Sequence, residues 1–159
     1  MNGYMTNGTY DFLNKIKEKH NISPFLLMHN SAKAVAYYED ASASIFELSR
    51  NYELLNETGS LKEVGFMSMT HIPVTEEGRP IFEMDYKEKV DKLAGVNGVI
   101  GARILRPYRG NTYILLIEWN HLKEYQSWKN IDPIFQEKQA SYIASEPYSE
   151  TFQVGEEEE

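Results

Sequence analysis

Hydrophobic and polar positions along the 159-residue chain change texture between Gly59 and Gly65, and the two sides of that boundary are punctuated differently. On the first side, an apolar stretch at Met1 to Met5 precedes Thr9, whose side-chain oxygen suits a helix N-cap, and Phe12, Leu13 and Ile16 then fall on one helical stripe. His20 and Asn21 stop that helix, and Pro24 turns the chain. Phe25 to Met28, Ala34 to Tyr38 and Ile45 to Leu48 read as three strands of a meander, separated by polar turns at Asn30-Ser31 and at Asp40 to Ser42. Tyr52, Leu54 and Leu55 suggest a short helix, with Gly59 as its C-cap.

The second side carries stronger signals. Phe66 to Val74 is a strand; Gly78 and Pro80 open a helix on which Phe82, Tyr86, Val90 and Leu93 recur at helical spacing until Gly95. Val99 to Leu105 and Tyr113 to Trp119 are β-rich runs joined by a hairpin-type connection, Arg106 to Asn111. A short helical turn over Leu122 to Trp128 follows. Asp132-Pro133 then caps a longer helix with Ile134, Phe135 and Ile143, and Tyr148 to Val154 closes the sheet.

The result is a β-α-β-β-α-β unit in an α+β protein. A four-stranded sheet with both helices on one face leaves its other face bare. The chain has its own second set of strands, so the expected architecture is an internal pseudo-dimer closing a roughly eight-stranded β-barrel, and the expected state is a monomer. Residues 1–62 supply the N-terminal helix and antiparallel strands that cover the sheet, and residues 63–159 the β-α-β-β-α-β module with an acidic tail.

Composition narrows the chemistry. With 42% hydrophobic and 25% charged residues the chain is ordinary globular material, without a membrane-span-length apolar run or a signal-peptide pattern, so a cytoplasmic location is expected, with membrane association only through a partner. Zero cysteines remove thiolate nucleophiles, disulfides and Cys-ligated metals. The net charge of −8 argues against a nucleic-acid partner. Glu76-Glu77 and Glu156 to Glu159 lack metal-ligand geometry and read as a solvated face and tail, so no metal site is expected. Gly95, Gly98 and Gly101 lie in helix-to-strand order, the reverse of a phosphate loop.

Thr75-Glu76-Glu77-Gly78-Arg79-Pro80-Ile81-Phe82-Glu83, Leu105-Arg106-Pro107 and Thr112-Tyr113 resemble the antibiotic-biosynthesis-monooxygenase (ABM) domain of the HmoB haem-degrading monooxygenases. Gly8-Thr9-Tyr10-Asp11-Phe12-Leu13 is similar both to that group and to TRAP, target of RNAIII-activating protein, a signal-transduction family with the same two-part layout. The resemblance covers nearly the whole chain and implies a ferredoxin-like module of the dimeric α+β barrel type. It leaves two functions open: a TRAP-type signal-transduction or ligand-binding protein without efficient haem oxygenase chemistry, or a haem-degrading monooxygenase of the HmoB/Isd type.

For the oxygenase, the resemblance implies a strand asparagine, a tryptophan pressed on the porphyrin and a helix histidine. Thr70 stands at the asparagine position, Trp128 keeps the tryptophan, and Lys138 stands where the histidine ligand is expected; a protonated lysine offers iron no lone pair. A small anion, or a flat apolar ligand such as haem, is the implied small-molecule partner. For the signalling function the implied partner is another protein, and the implied modification is histidine phosphorylation. The family's histidine positions fall near Val64-Gly65 and Gly78-Arg79, where this chain has none, so His71 is the nearest candidate, with Arg79 or Arg106 to hold a phosphate or carboxylate. Strand alternation points His71 to the face opposite Thr70.

Overall fold

The computed structural model describes residues 1–131 and 141–155, so the expected helix with Ile134 and Phe135, position 138 and the Glu156 to Glu159 tail lie outside the described residues. The elements run β1 (Asn2–Gly8), α1 (Tyr10–His20), β2 (Phe25–His29), β3 (Ala34–Asp40), β4 (Arg50–Gly59), β5 (Gly65–Pro73), α2 (Arg79–Leu93), β6 (Val99–Pro107), β7 (Thr112–Trp119), α3 (Leu122–Ile131) and β8 (Tyr148–Val154). Local chemistry explains the ends of α1. Thr9 Oγ1 accepts the Phe12 N–H at 3.2 Å, and Asn21 ends the helix in the left-handed region at φ 51° with its N–H on Lys17 O.

The strands close into one antiparallel barrel in the order β1-β3-β2-β8-β5-β7-β6-β4. Strands β1 to β4 are joined to β5 to β8 by β4 with β6 and, more sparingly, by β2 with β8, which pair through Met28 with Val154 and His29 with Gln153. An eight-stranded barrel is just wide enough for side chains to fill, and Met5, Met28, Met67, Met69, Leu116 and Phe152 are among those that fill it. Outside, α2 packs over β4 and β6 and α3 over β7, with Phe82, Val90, Tyr125 and Trp128 in one cluster with the strand residues, while α1 covers β1, β2 and β3 through Leu13. No described helix is long and apolar enough to cross a membrane.

Three sequence expectations are corrected. Ile45 to Leu48 is not a strand but part of the loop between β3 and β4. Both edges of β3 are already paired, by β1 and β2, so the run has no partner; Phe46 plugs the core edge-on to Phe25 and Tyr38, while Leu48 is 86% exposed. Tyr52, Leu54 and Leu55 belong to β4, not to a helix, because β1 and β6 offer hydrogen-bonding edges on both sides. A bulge between Leu54 and Asn56 produces the adjacent apolar pair that mimics helical spacing. Gly59 is therefore no helix cap: at φ 65° it brings β4 against β6, and a Cβ there would sit 2.2 Å from Ile100 O. Ile143, expected on a helix, forms an isolated bridge with Val74.

One end of the lumen is closed by charge. Arg103 is buried, donates to Glu39 at 2.8 Å and to three backbone carbonyls, and shares Glu39 with the Tyr37 hydroxyl. Beside it Glu118 is wholly buried: Oε1 accepts the Lys62 N–H at 2.7 Å, Oε2 has no hydrogen-bond partner among the described residues, and burial pushes its carboxyl up to about 7.

Two predictions follow from the packing. Phe46→Ala should cost about 3 kcal/mol in urea unfolding and Leu48→Ala less than about 0.5 kcal/mol, whereas equal losses would contradict the loop assignment. Because the folded pKa of Glu118 lies above its unfolded value, the native state holds the extra proton between about pH 4.5 and 7, and the carboxyl's stabilisation is lost as pH rises through that window. The stability of Glu118→Gln relative to the parent should therefore rise by up to about 3 kcal/mol from pH 5 to pH 8; a pH-independent difference would refute it.

Candidate functional site

Strand β5 divides the sequence-predicted residues between two surfaces. Thr70 faces outward into the layer under α2 and α3, is 1% exposed, and its Oγ1 lies 2.8 Å from Ser149 Oγ on β8. Two residues earlier, on the same face, Ser68 Oγ accepts the Trp119 Nε1–H at 2.9 Å. Trp119 packs 5.5 Å from Trp128 of α3 on the outer face of the sheet, the face to which Thr70 also points. Trp128 and Val96 stand between two clefts of about 370 and 540 Å³, one running along α2 past Lys89 and Lys92, the other along α3 past Lys123 and Ser127. Lys138 lies outside the described residues.

His71, one residue on, faces the lumen at the barrel's other end. Its Nε2 is 2.8 Å from Glu150 Oε1, its ring stacks on Tyr148 at 4.5 Å, and Glu150 Oε2 is 2.5 Å from Lys33 Nζ. Burial lowers the imidazole's pKa, Arg50 and Lys33 lower it further, and the hydrogen bond and charge of Glu150 work the other way. Burial also pushes the Glu150 carboxyl up, but hydrogen bonds from Lys33 and His71 outweigh it and leave the group below its ordinary value. The result near neutral pH is a neutral imidazole donating Nε2–H to a carboxylate.

The structure does not bring Arg79 or Arg106 to His71. Both lie on the outer face at the start of α2. Arg106 forms a fork with Glu83 at 2.5 and 2.9 Å and bonds Glu53 at 2.7 Å, and the Glu83 bond raises its pKa above the ordinary value. Arg79 donates to the Tyr113 hydroxyl and to Asn111 Oδ1, both at 3.0 Å, and the Tyr113 hydroxyl donates to Glu83. The cations that do reach the His71 end are Lys33 and Arg50, which sequence reasoning missed. A signal existed: Glu150 lies at an inward position of β8, and a charged group there needs a partner.

The four histidines of the chain are thereby placed. His71 is in the lumen; His29 lies edge-on to Tyr10 at 5.8 Å; His20 is the exposed last residue of α1; and His121 is exposed at the start of α3, 3.3 Å from Glu124. None of them enters the Thr70 and Trp128 layer.

No family model matches the chain. It is 28% identical over 134 residues to the signal transduction protein TRAP of Staphylococcus epidermidis, covering 84% of this chain and 80% of that protein. It is 21% identical over 126 residues to a haem-degrading monooxygenase of Listeria monocytogenes, covering 79% and 75%. A ferredoxin-fold protein from Listeria monocytogenes related to antibiotic biosynthesis monooxygenases superposes with a TM-score of 0.82 at 19% identity, over 98% of this chain and 95% of that one, a likeness of fold. The chain is thus similar over most of its length to staphylococcal TRAP proteins and to a Listeria haem-degrading monooxygenase, and it has the ferredoxin-like barrel fold of the solved Listeria structure.

Proposed function

We propose that the protein is a TRAP-type signal-transduction or ligand-binding protein on the ABM scaffold, without efficient haem oxygenase chemistry. The observation that carries this reading is the state of Thr70. Where the oxygenases have an asparagine amide directed at the reacting position, this chain has a buried hydroxyl tied to Ser149 on the neighbouring strand. No imidazole enters the layer that holds Thr70 and Trp128, so the residues there do not fit axial ligation of haem iron by histidine. The similarity to TRAP over most of the chain supports the signalling half of the proposal. Within it, His71 is the residue for ligand contact or modification, because Glu150 engages its Nε2 and leaves the Nδ1 lone pair.

One observation favours the alternative, a haem-degrading monooxygenase: Trp128, at the position where the resemblance implies a tryptophan, lines two clefts.

Hemin titration followed by reductant and oxygen separates the two readings. The expected outcome is that porphyrin absorbance persists after ascorbate is added in air, with or without a Soret shift on binding. Steady bleaching of the Soret band, lost together with the binding shift in Trp128→Ala, would establish the oxygenase instead.

A further inference from the structure

The mouth of the barrel at the His71 end opens into a cleft of about 660 Å³, within the size range of small-molecule sites. Its floor is the start of β4, with Arg50 and Tyr52. One wall is the loop between β3 and β4; the other is the β6–β7 hairpin with Tyr108 and Arg109. Both walls are built rather than loose. The first is pinned by Phe46 in the core, by the Thr6 hydroxyl donating to Leu48 O at 2.6 Å, by the Ser44 and Ser49 hydroxyls at 2.7 Å, and by the Ile45 N–H on the Tyr38 hydroxyl at 2.8 Å. The second is held by the Tyr108 N–H on Asn51 O at 3.1 Å and the Tyr108 hydroxyl on Asn2 Oδ1 at 2.6 Å.

The charge of this cleft runs against that of the chain. In a protein of net charge −8, the described cleft lining sets Arg50 and Arg109 against the single carboxylate Glu47 on the rim, with the Lys33 and Glu150 ion pair beneath. Arg103 and Arg106 are bonded to carboxylates; among the described residues the Arg50 guanidinium instead donates to the neutral Asn7 Oδ1 at 2.8 Å and lies beside the Tyr52 hydroxyl. A guanidinium fork without a carboxylate, flanked by tyrosine rings in a pre-formed cleft, matches a planar oxyanion attached to a flat apolar body.

We propose that this cleft is a binding site for a small organic oxyanion, a carboxylate or phosphate monoester carrying a planar apolar group, with Arg50 and Arg109 holding the anionic head and Tyr52 and Tyr108 the body. The site is separate from the Thr70 and Trp128 layer and does not depend on the outcome of hemin titration.

The test is titration of the full chain with phenyl phosphate and with benzoate, which distinguish the two head groups, and with benzyl alcohol as the neutral control, read by calorimetry and by amide shifts at Asn51, Tyr52 and Tyr108. At least one anion should bind saturably, more tightly than the alcohol and more weakly as salt rises. Arg50→Gln should weaken it about tenfold and Arg109→Gln about threefold. Arg109 is on an exposed hairpin tip, so its substitution leaves thermal unfolding unchanged and keeps the test decisive even if Arg50→Gln loosens β4. The proposal is overturned if neither anion saturates at millimolar concentration, if benzyl alcohol binds as tightly, or if Arg109→Gln leaves the affinity unchanged.

Discussion

With eight strands closed edge to edge, the barrel has an interior that only side chains can fill, and every surface described above depends on that filling. Each strand must alternate between a lumen position and an outer position. The lumen positions at mid-height are therefore apolar, as Met67, Met69 and Leu116 are, and any polar side chain pointing inward has to sit near an end with a partner. The two ends meet this demand in different ways. At one, Arg103 is saturated by Glu39 and backbone carbonyls while Glu118 keeps an unpartnered oxygen. At the other, His71, Glu150 and Lys33 form a chain that leads toward Arg50 and the open cleft.

Closure also explains why the helices sit where they do. With the lumen filled by side chains, the apolar outer faces are left for helices to cover. The half carrying α2 and α3 has the aromatic layer of Trp119, Tyr125 and Trp128, and the half carrying α1 has the smaller cluster around Leu13, Phe25 and Tyr38. The sparse pairing of β2 with β8 contrasts with the long pairing of β4 with β6, so the two seams that join β1 to β4 with β5 to β8 are unequal.

Much of this was legible in the chain because periodicity reports burial directly. Phe82, Tyr86, Val90 and Leu93 lie on α2 as their spacing predicts, and Thr9 and Asn21 bound α1. The closed barrel followed from the need to cover a bare sheet face. What could not be read was pairing across long separations. The β3–β4 region offered two apolar runs, Ile45 to Leu48 and Tyr52 to Leu55; only the strand edges of β1 and β6 decide that the second is a strand, and these are set by residues about fifty positions away in either direction. The same limit applied to the site. Alternation placed Thr70 and His71 on opposite faces, but it could not show that Arg79 and Arg106 accompany α2 on the outer side, or that Lys33 and Arg50 converge on the mouth.

That adjacency on β5 also limits what the protein can do with its histidine. To bring His71 into the layer of Thr70 and Trp128, β5 would have to slip by one residue against β7 and β8. The slip would expel Met67 and Met69 from the lumen, turn Ser68 and Thr70 inward without Trp119 and Ser149 as partners, and leave Glu150 facing only Lys33. Losing the burial of two methionines together with one buried and one part-buried side-chain hydrogen bond costs several kcal/mol, comparable to the whole stability of a domain this size. The register that fills the barrel therefore keeps the imidazole at the mouth, beside the cations of the cleft, and away from the face that carries Thr70 and Trp128.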